Sequence, residues 1–341
     1  MGNEIRIGQI GLGYWGKNLL RVFSGIDGCR VTHGCDQDES ILGALKHAYP
    51  DTSFSAQFEN LIAANDLDAI VIATETPTHF SLAMKALRAG KHVFVEKPMA
   101  QTSDEARMLV EEAAKQDRKL MVGHLLLYHP AFLHVRDLIH KGDLGQIYYI
   151  YCVRVNLGIV RQKENAFESL APHDISLALE YMQAKPIAVS AQGQSYLQPG
   201  IEDVAFALIH FEDGKIAHLH TSWLDPHKVR RITVVGSRQM AVIDDVKGTE
   251  KVRLYDKGVD LAPTEATFVD YSNAMTLRSG DIRIPKIDMT EPLAEECGHF
   301  IECIQADEIP RTDGRNGLAV VRVLEAARES LQNGGIRVDL T

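Results

Sequence analysis

No apolar run in this 341-residue chain approaches the roughly 20 residues that a membrane-spanning helix needs, so the sequence predicts no transmembrane segment. Cysteine is scarce and scattered. Cys29, Cys35, Cys152, Cys297 and Cys303 are odd in number and form no CxxC pair, which argues against a zinc ribbon and suits a reducing compartment. Positive charge is in deficit too: 36 Lys plus Arg stand against 46 Asp plus Glu, a net charge of −10. Long-range steering of nucleic acid is therefore not expected, and an anionic ligand must be held by local donors. The opening residues, MGNEIRIGQIGLG, lack a basic region followed by an apolar stretch and a small-residue cleavage site, and Arg6 occupies the place where a myristoylation signal needs Ser or Thr. A cytoplasmic protein with no membrane partner is the expectation. What is present is globular composition, 45% hydrophobic and 24% charged, in a chain long enough for two domains.

Short β-branched runs alternate with helical patterns over the first third: IRIGQI (5–10), a helix from about 14 to 24, RVTHGCD (30–36), a helix over 39–48, DAIVIATE (68–75), a helix over 78–89, KHVFVEK (91–97), a helix over 103–117 and KLMVGH (119–124). This rhythm predicts a doubly wound parallel sheet, residues 1–125, whose near-continuously apolar strands have both faces covered. After about residue 125 the rhythm changes. A helix over 130–141, a strand-rich stretch near 146–157 and a helix over 173–183 precede a succession of strands: IAVSAQGQSYL, DVAFALIHF, KIAHLHTSW, RRITVVGS, QMAVIDD and KVRLYDK. Residues 126–341 thus read as an α+β domain with an open, mostly antiparallel sheet. Residues 258–290 show no clear period and suggest a surface arm or oligomer contact, while 291–306 and 315–333 read as terminal helices.

Gly11-Leu12-Gly13-Tyr14-Trp15-Gly16 follows a strand and opens a helix, and Asp36 ends the next strand 36 − 16 = 20 residues on. Gly11 permits the tight turn, Gly13 lets a pyrophosphate approach the backbone, Gly16 permits close helix–strand packing, and free N–H groups at the helix start face the phosphates. Asp36 would accept from the ribose hydroxyls and repel a 2′-phosphate, and neighbouring Gln37 and Asp38 provide no arginine to hold one, so NAD is favoured over NADP. Ligands of such sheets bind beyond the carboxyl ends of the strands. Thr74, Glu75, Thr76, Pro77 and His79 after the third strand, Glu96-Lys97-Pro98 after the next and Gly123-His124 after the last should therefore share one crevice. With Tyr14 and Trp15 of the loop, Thr74, Thr76, Pro77, His79, Glu96 and Lys97 complete the expected cofactor set. A lysine ending an apolar strand is an unusual place for a surface charge; its ammonium could hydrogen-bond a substrate hydroxyl during oxidation, although a snorkelling side chain has the same pattern. His79 and His124 read equally as satisfied strand-end histidines.

Glu96-Lys97-Pro98 downstream of that loop, with ATETPTH at 73–79, resembles the glucose–fructose oxidoreductase, inositol dehydrogenase and rhizopine-catabolism (Gfo/Idh/MocA) family over nearly the whole chain. The resemblance implies a Rossmann domain, a C-terminal domain for substrate binding and sheet-mediated homodimers or homotetramers, and NAD(P)-linked oxidation or reduction of a sugar or cyclitol carbon. The family's catalytic lysine falls on Lys97, and the bond before Pro98 is usually cis there. GYWGKN (13–18), LAPHDIS (170–176), SWLDPHKVRRITVVGS (222–237) and YDKGVD (255–260) look most like nucleotide-sugar dehydrogenases, including enzymes that oxidise C3 of UDP-N-acetylglucosamine or its uronic acid for cell-surface polysaccharide or lipid A precursors.

The family's catalytic histidine falls on His173, but the Asp usually found four residues earlier is Ser169 here, which can hydrogen-bond yet cannot stabilise an imidazolium by charge. Glu168 and Asp174 are not assured substitutes. Pro172 suits a first helical turn, so His173 is expected near the positive end of a 173–183 helix, where the field keeps its ring neutral. The expected reaction is hydride transfer from a pyranose carbon to NAD, His173 taking the proton and Lys97 stabilising the alkoxide. Two phosphate charges on a UDP-sugar require local cations, so Arg154, Asn156 and Arg161 are expected near the substrate with Ser169, His124 and, opposite, Tyr128. His218 and His220 share a strand face without a third ligand, so no metal is expected. Two rivals remain: an inositol or free-sugar dehydrogenase, and a non-catalytic NAD-binding regulatory or structural subunit.

Overall fold

Every strand of the first sheet runs parallel. A computed structural model describes residues 4–261 and 275–340, in two compact units. The first comprises the chain to His129 and Thr290–Glu325; the second comprises Pro130–Met289 and the chain from Ala326. In the first unit β1 (Ile5–Ile10), β2 (Cys29–Cys35), β3 (Ser53–Ser55), β4 (Ala69–Ile72), β5 (His92–Glu96) and β6 (Leu120–Gly123) form a six-stranded sheet of order β3-β2-β1-β4-β5-β6. The order reverses beside β1, which opens a crevice at the carboxyl ends of β1 and β4. β4 and β6 are buried at every position, as two covered faces require. The covering helices are α1 (Tyr14–Phe23), α2 (Glu39–Ala48), α3 (Phe58–Ala63), α4 (Thr76–Arg88), α5 (Ser103–Gln116), and from the later segment α8 (Pro292–Ala306) with the first part of α9 (Gly314–Gln332). Phe300 of α8 meets Phe94 of β5 and Phe23 of α1 edge-on, at 5.7 and 6.4 Å between centroids.

In the second unit, α6 (Pro130–His140) is followed by β7 (Ile147–Leu157), α7 (Ala166–Met182), β8 (Pro186–Gln194), β9 (Val204–Phe211), β10 (Ile216–Ser222), β11 (Leu224–Gly236), β12 (Met240–Asp244), β13 (Val252–Leu261), β14 (Met275–Arg283) and β15 (Val338–Asp339). These strands form a nine-stranded sheet of order β14-β13-β12-β11-β7-β10-β9-β8-β15, antiparallel except where β7 and β10 run parallel. One face is covered by α7, which buries Phe167, Ile175, Leu177, Tyr181 and Met182; on the other, Tyr149, Tyr151 and Phe206 are exposed and His220 stacks on Phe206 at 4.4 Å.

Two expectations need correction. The helix expected at 173–183 begins at Ala166, because Asn165 and Glu168 form a reciprocal capping box: Asn165 Oδ1 accepts from the Glu168 N–H at 2.8 Å and Glu168 Oε2 accepts from the Asn165 N–H at 3.3 Å. Pro172 is inside the helix, and His173 is two turns from its start. Within 258–290, Gly258–Leu261 and Met275–Arg283 are strand, paired antiparallel at the sheet edge; 262–274 lie outside the described residues.

Candidate functional site

Gln9 shares one face of strand β1 with the buried Ile5 and Ile7. Fully buried, its amide Nε2 donates to the carbonyls of Gly11 (3.0 Å) and Gly16 (2.7 Å), pinning both ends of the glycine loop. Gly11 has φ +92°, a left-handed conformation, and a Cβ on Gly16 would stand 2.1 Å from the Gly11 carbonyl oxygen. Gly13, in contrast, has open space where its side chain would be. Asp36 directly follows β2, its carboxylate accepting from the Leu12 N–H at 2.7 Å and the Asp38 N–H at 2.9 Å, so the acid is held at the loop. Tight glycines below, open space at Gly13 and a fixed acid beside the loop fit a dinucleotide pyrophosphate and its ribose.

Other strand ends join this crevice. The Thr74 and Thr78 hydroxyls bond each other at 2.7 Å, and Thr76 and Pro77 begin α4. His79 is buried: Nδ1 lies 2.8 Å from the Pro98 carbonyl and Nε2 3.0 Å from that of Thr74. Burial lowers its pKa, and a neutral ring donates to only one of these oxygens. His79 therefore braces the Thr74 and Pro98 turns. The Lys97–Pro98 bond is cis. Trp15 Nε1 donates to Glu96 Oε1 at 2.5 Å, while Tyr14 is exposed. His124 is buried, its nitrogens without hydrogen-bond partners among the described residues, and burial followed by the nearby Lys97 charge lowers its pKa to about 3. Tyr128, expected at the substrate, is buried instead, its hydroxyl 3.2 Å from Thr312 Oγ1 and its ring under the Arg311 guanidinium at 4.8 Å.

In the second unit, α7 carries Ser169 and His173 four residues apart, hence on one face, both half-buried. The field of the first helical turn does not reach His173, so the helix start exerts no hold on its protonation. Arg154, expected against a phosphate, is buried with Nε and Nη2 bound to the two Asp174 oxygens at 2.9 and 2.7 Å. Sequence reasoning missed this pairing and that of Gln9; the signal for both was a polar residue in register with the apolar core-facing positions of its strand, Ile5 and Ile7 for Gln9 and Ile150 and Cys152 for Arg154. Glu168 is used by the capping box and by Arg328 Nε at 2.6 Å. Asn156 is half-buried, and Arg161 is exposed on the loop before α7, 3.6 Å from Glu164. Among the described residues no cluster of three or more His, Cys, Asp or Glu could hold a metal, and no helix is long and apolar enough to cross a membrane.

A glycine loop at the switch point of a doubly wound sheet, followed by a mixed-sheet domain, defines a two-domain dinucleotide-binding protein. The models of known families agree: residues 5–124 match an oxidoreductase family with an NAD-binding Rossmann fold, and residues 132–242 match the GFO/IDH/MocA C-terminal domain. The chain belongs to the Gfo/Idh/MocA oxidoreductase family and carries its NAD-binding Rossmann domain. Among curated relatives it is similar to UDP-N-acetylglucosamine 3-dehydrogenase of Acidithiobacillus ferrooxidans, 26% identical over 95% of each chain. It is similar also to inositol 2-dehydrogenase of Rhizobium meliloti, 24% identical over 96% of this chain and 97% of the relative. The solved Acidithiobacillus ferrooxidans enzyme shares the fold with TM-score 0.79 at 24% identity, over 96% of this chain and 98% of that one. So does scyllo-inositol dehydrogenase from Lactobacillus casei, solved with NAD(H) and scyllo-inositol, with TM-score 0.80 at 18% identity over 99% of each chain.

Proposed function

We propose that the protein is an NAD-dependent dehydrogenase that oxidises a sugar hydroxyl to a ketone, most specifically C3 of a UDP-N-acetylglucosamine-type nucleotide sugar. The observation that carries this reading is the crevice itself: Asp36 fixed at the glycine loop, with Lys97 directly after strand β5. NAD, when bound, supplies the acceptor for the hydride leaving the sugar carbon. His173 accepts the hydroxyl proton, and the Lys97 ammonium hydrogen-bonds the oxygen as negative charge develops there. The products are a ketone, reduced dinucleotide and one proton. Ser169, on the same face one turn before His173, provides a hydrogen-bonding group but no charge, and Asp174 is committed to Arg154, so Lys97 carries most of the electrostatic work. Arg161 and Asn156 are assigned to the substrate's phosphates and sugar.

The nucleotide-sugar relative, 26% identical over nearly the whole chain, supports this substrate. Inositol oxidation has support of its own in the 24% identical inositol dehydrogenase. In the same reading the protein works in the cytoplasm as a homodimer or homotetramer assembled through the exposed Tyr149, Tyr151 and Phe206 face. The test is incubation of the purified protein with NAD and a panel of UDP-sugars, free sugars and cyclitols, with the keto product identified by mass and NMR. Reduction with UDP-N-acetylglucosamine and a 3-keto product is expected. Reduction with cyclitols alone selects inositol, and NAD binding without reduction by any compound contradicts the enzymatic reading.

A further inference from the structure

Trp15 and Glu96 come from different elements, α1 and the end of β5, and meet through the 2.5 Å indole-to-carboxylate bond. The other carboxylate oxygen, Oε2, accepts the Lys97 backbone N–H at 3.3 Å. One side chain thus clasps both the helix that opens from the glycine loop and the peptide that carries the lysine. Its surroundings leave it little freedom. A Cβ on Gly123 of neighbouring β6 would stand 2.9 to 3.1 Å from the Glu96 carboxyl atoms, so bare backbone forms one wall. On another side is α8, whose Phe300 packs on Phe94 at 5.7 Å. Position 96 follows 94 by two on one strand face, and 296 precedes 300 by four on one helix face, which sets Glu296 toward Glu96.

Glu296 is fully buried, and neither carboxyl oxygen has a hydrogen-bond partner among the described residues. A bare carboxylate there is too costly, so Glu296 is a neutral acid; burial first, then the Glu96 charge, pushes its pKa up. Burial pushes Glu96 to about 7, opposed by the Trp15 bond and the Lys97 charge, which favour the carboxylate. The other groups facing the pair are neutral at this pH: His124 at the end of β6, lowered by burial and by Lys97, and Tyr128 and Cys297 beside Glu296, both raised by burial. Glu96 is thus the group in this cluster that changes charge near neutrality.

We propose that Glu96 is a positioning residue for Lys97, acting through Trp15: the indole–carboxylate bond ties the glycine loop to the lysine turn and holds the ammonium at its working position. This rests on the catalytic part given to Lys97 above. An indole N–H donates best to a carboxylate, so protonating Glu96 loosens the clasp.

Two readouts test it on the full chain. In a double-mutant cycle, Trp15→Phe and Glu96→Leu, which leaves no acceptor, should each lower kcat about tenfold, and the double variant should lower it no further, because each removes the same bond. Losses that multiply to about a hundredfold overturn the proposal. The second readout needs no substrate: tryptophan emission followed across pH. Trp15→Phe identifies the Trp15 component, leaving that of Trp223, which is bonded to Asp203. Trp15 emission should titrate near pH 7 in the wild type and not in Glu96→Gln. A flat wild-type profile refutes the clasp whatever the activity. Titrating emission in a protein that oxidises none of the panel shows instead that the enzymatic reading has failed, and the role given to the bond with it.

Discussion

Replacing Asp174 by Leu should destabilise the second unit severely. The Arg154 and Asp174 side chains are 7% and 2% exposed, joined by two bonds of 2.9 and 2.7 Å that fasten α7 to β7. The substitution leaves a guanidinium buried beside apolar atoms with its charge uncompensated. Removing one partner of such a pair costs about 3 to 5 kcal/mol, several times a typical surface ion pair. At about 2 to 4 °C per kcal/mol for a unit of this size, the melting temperature should fall by about 10 °C. Urea unfolding followed through Trp223, which is buried in the same unit, isolates the effect from the first unit when it is read in a Trp15→Phe background. Arg154→Met combined with Asp174→Leu should recover most of the loss, because no buried charge is left unpaired. A loss under about 1 kcal/mol in the single variant would refute the reasoning, since it would mean that water or another acid reaches Arg154.

Other substitutions separate structure from chemistry. Gly16→Ala places a methyl 2.1 Å from the Gly11 carbonyl oxygen and should lower both melting temperature and NAD affinity, whereas Gly13→Ala, with open space around it, should weaken NAD by about tenfold in calorimetry at unchanged stability. Lys97→Ala should lower kcat about a thousandfold with NAD binding nearly intact; unchanged turnover contradicts its assignment. Acid stability should depend on His124, whose pKa falls from 6.5 to about 3 on folding. The folded chain then binds fewer protons than the unfolded one between those values, so this contribution is complete above about pH 6.5 and is lost as pH falls. Glu96 acts in the opposite sense between 4.5 and about 7, because its raised pKa makes the folded state bind more protons. His124→Gln should flatten the acid-side loss by up to about 1.4 kcal/mol per pH unit in urea titrations, and an unchanged slope would count against a neutral buried His124.

Much of the first sheet was legible because buried parallel strands are nearly all apolar and their helices keep a 3.6-residue period. β1, β2, β4, β5 and β6 lie where those runs lie. β3 and α3 were not foreseen, being three and six residues long, too short to show a period. The start of α7 was misplaced because proline was read as a first-turn residue, while the start is set by Asn165 and Glu168 seven and four residues earlier. At the site, the placement of the glycine loop between β1 and α1 and of Asp36 after β2 was readable from spacing, since both are set by local chain order. The partners of Arg154, Tyr128 and Glu96 were not. Asp174, Thr312 and Trp15 lie 20, 184 and 81 residues away, and only the folded register brings them together.

The most direct test of the central claim is titration calorimetry with NAD and NADP on the wild type and on Asp36→Ala. The account predicts one NAD site per chain, NADP weaker by about tenfold or more, and a comparable loss of NAD affinity in the variant, because the acid that meets the ribose is gone. Absence of NAD binding, or equal affinity for the two dinucleotides in the wild type, would contradict it.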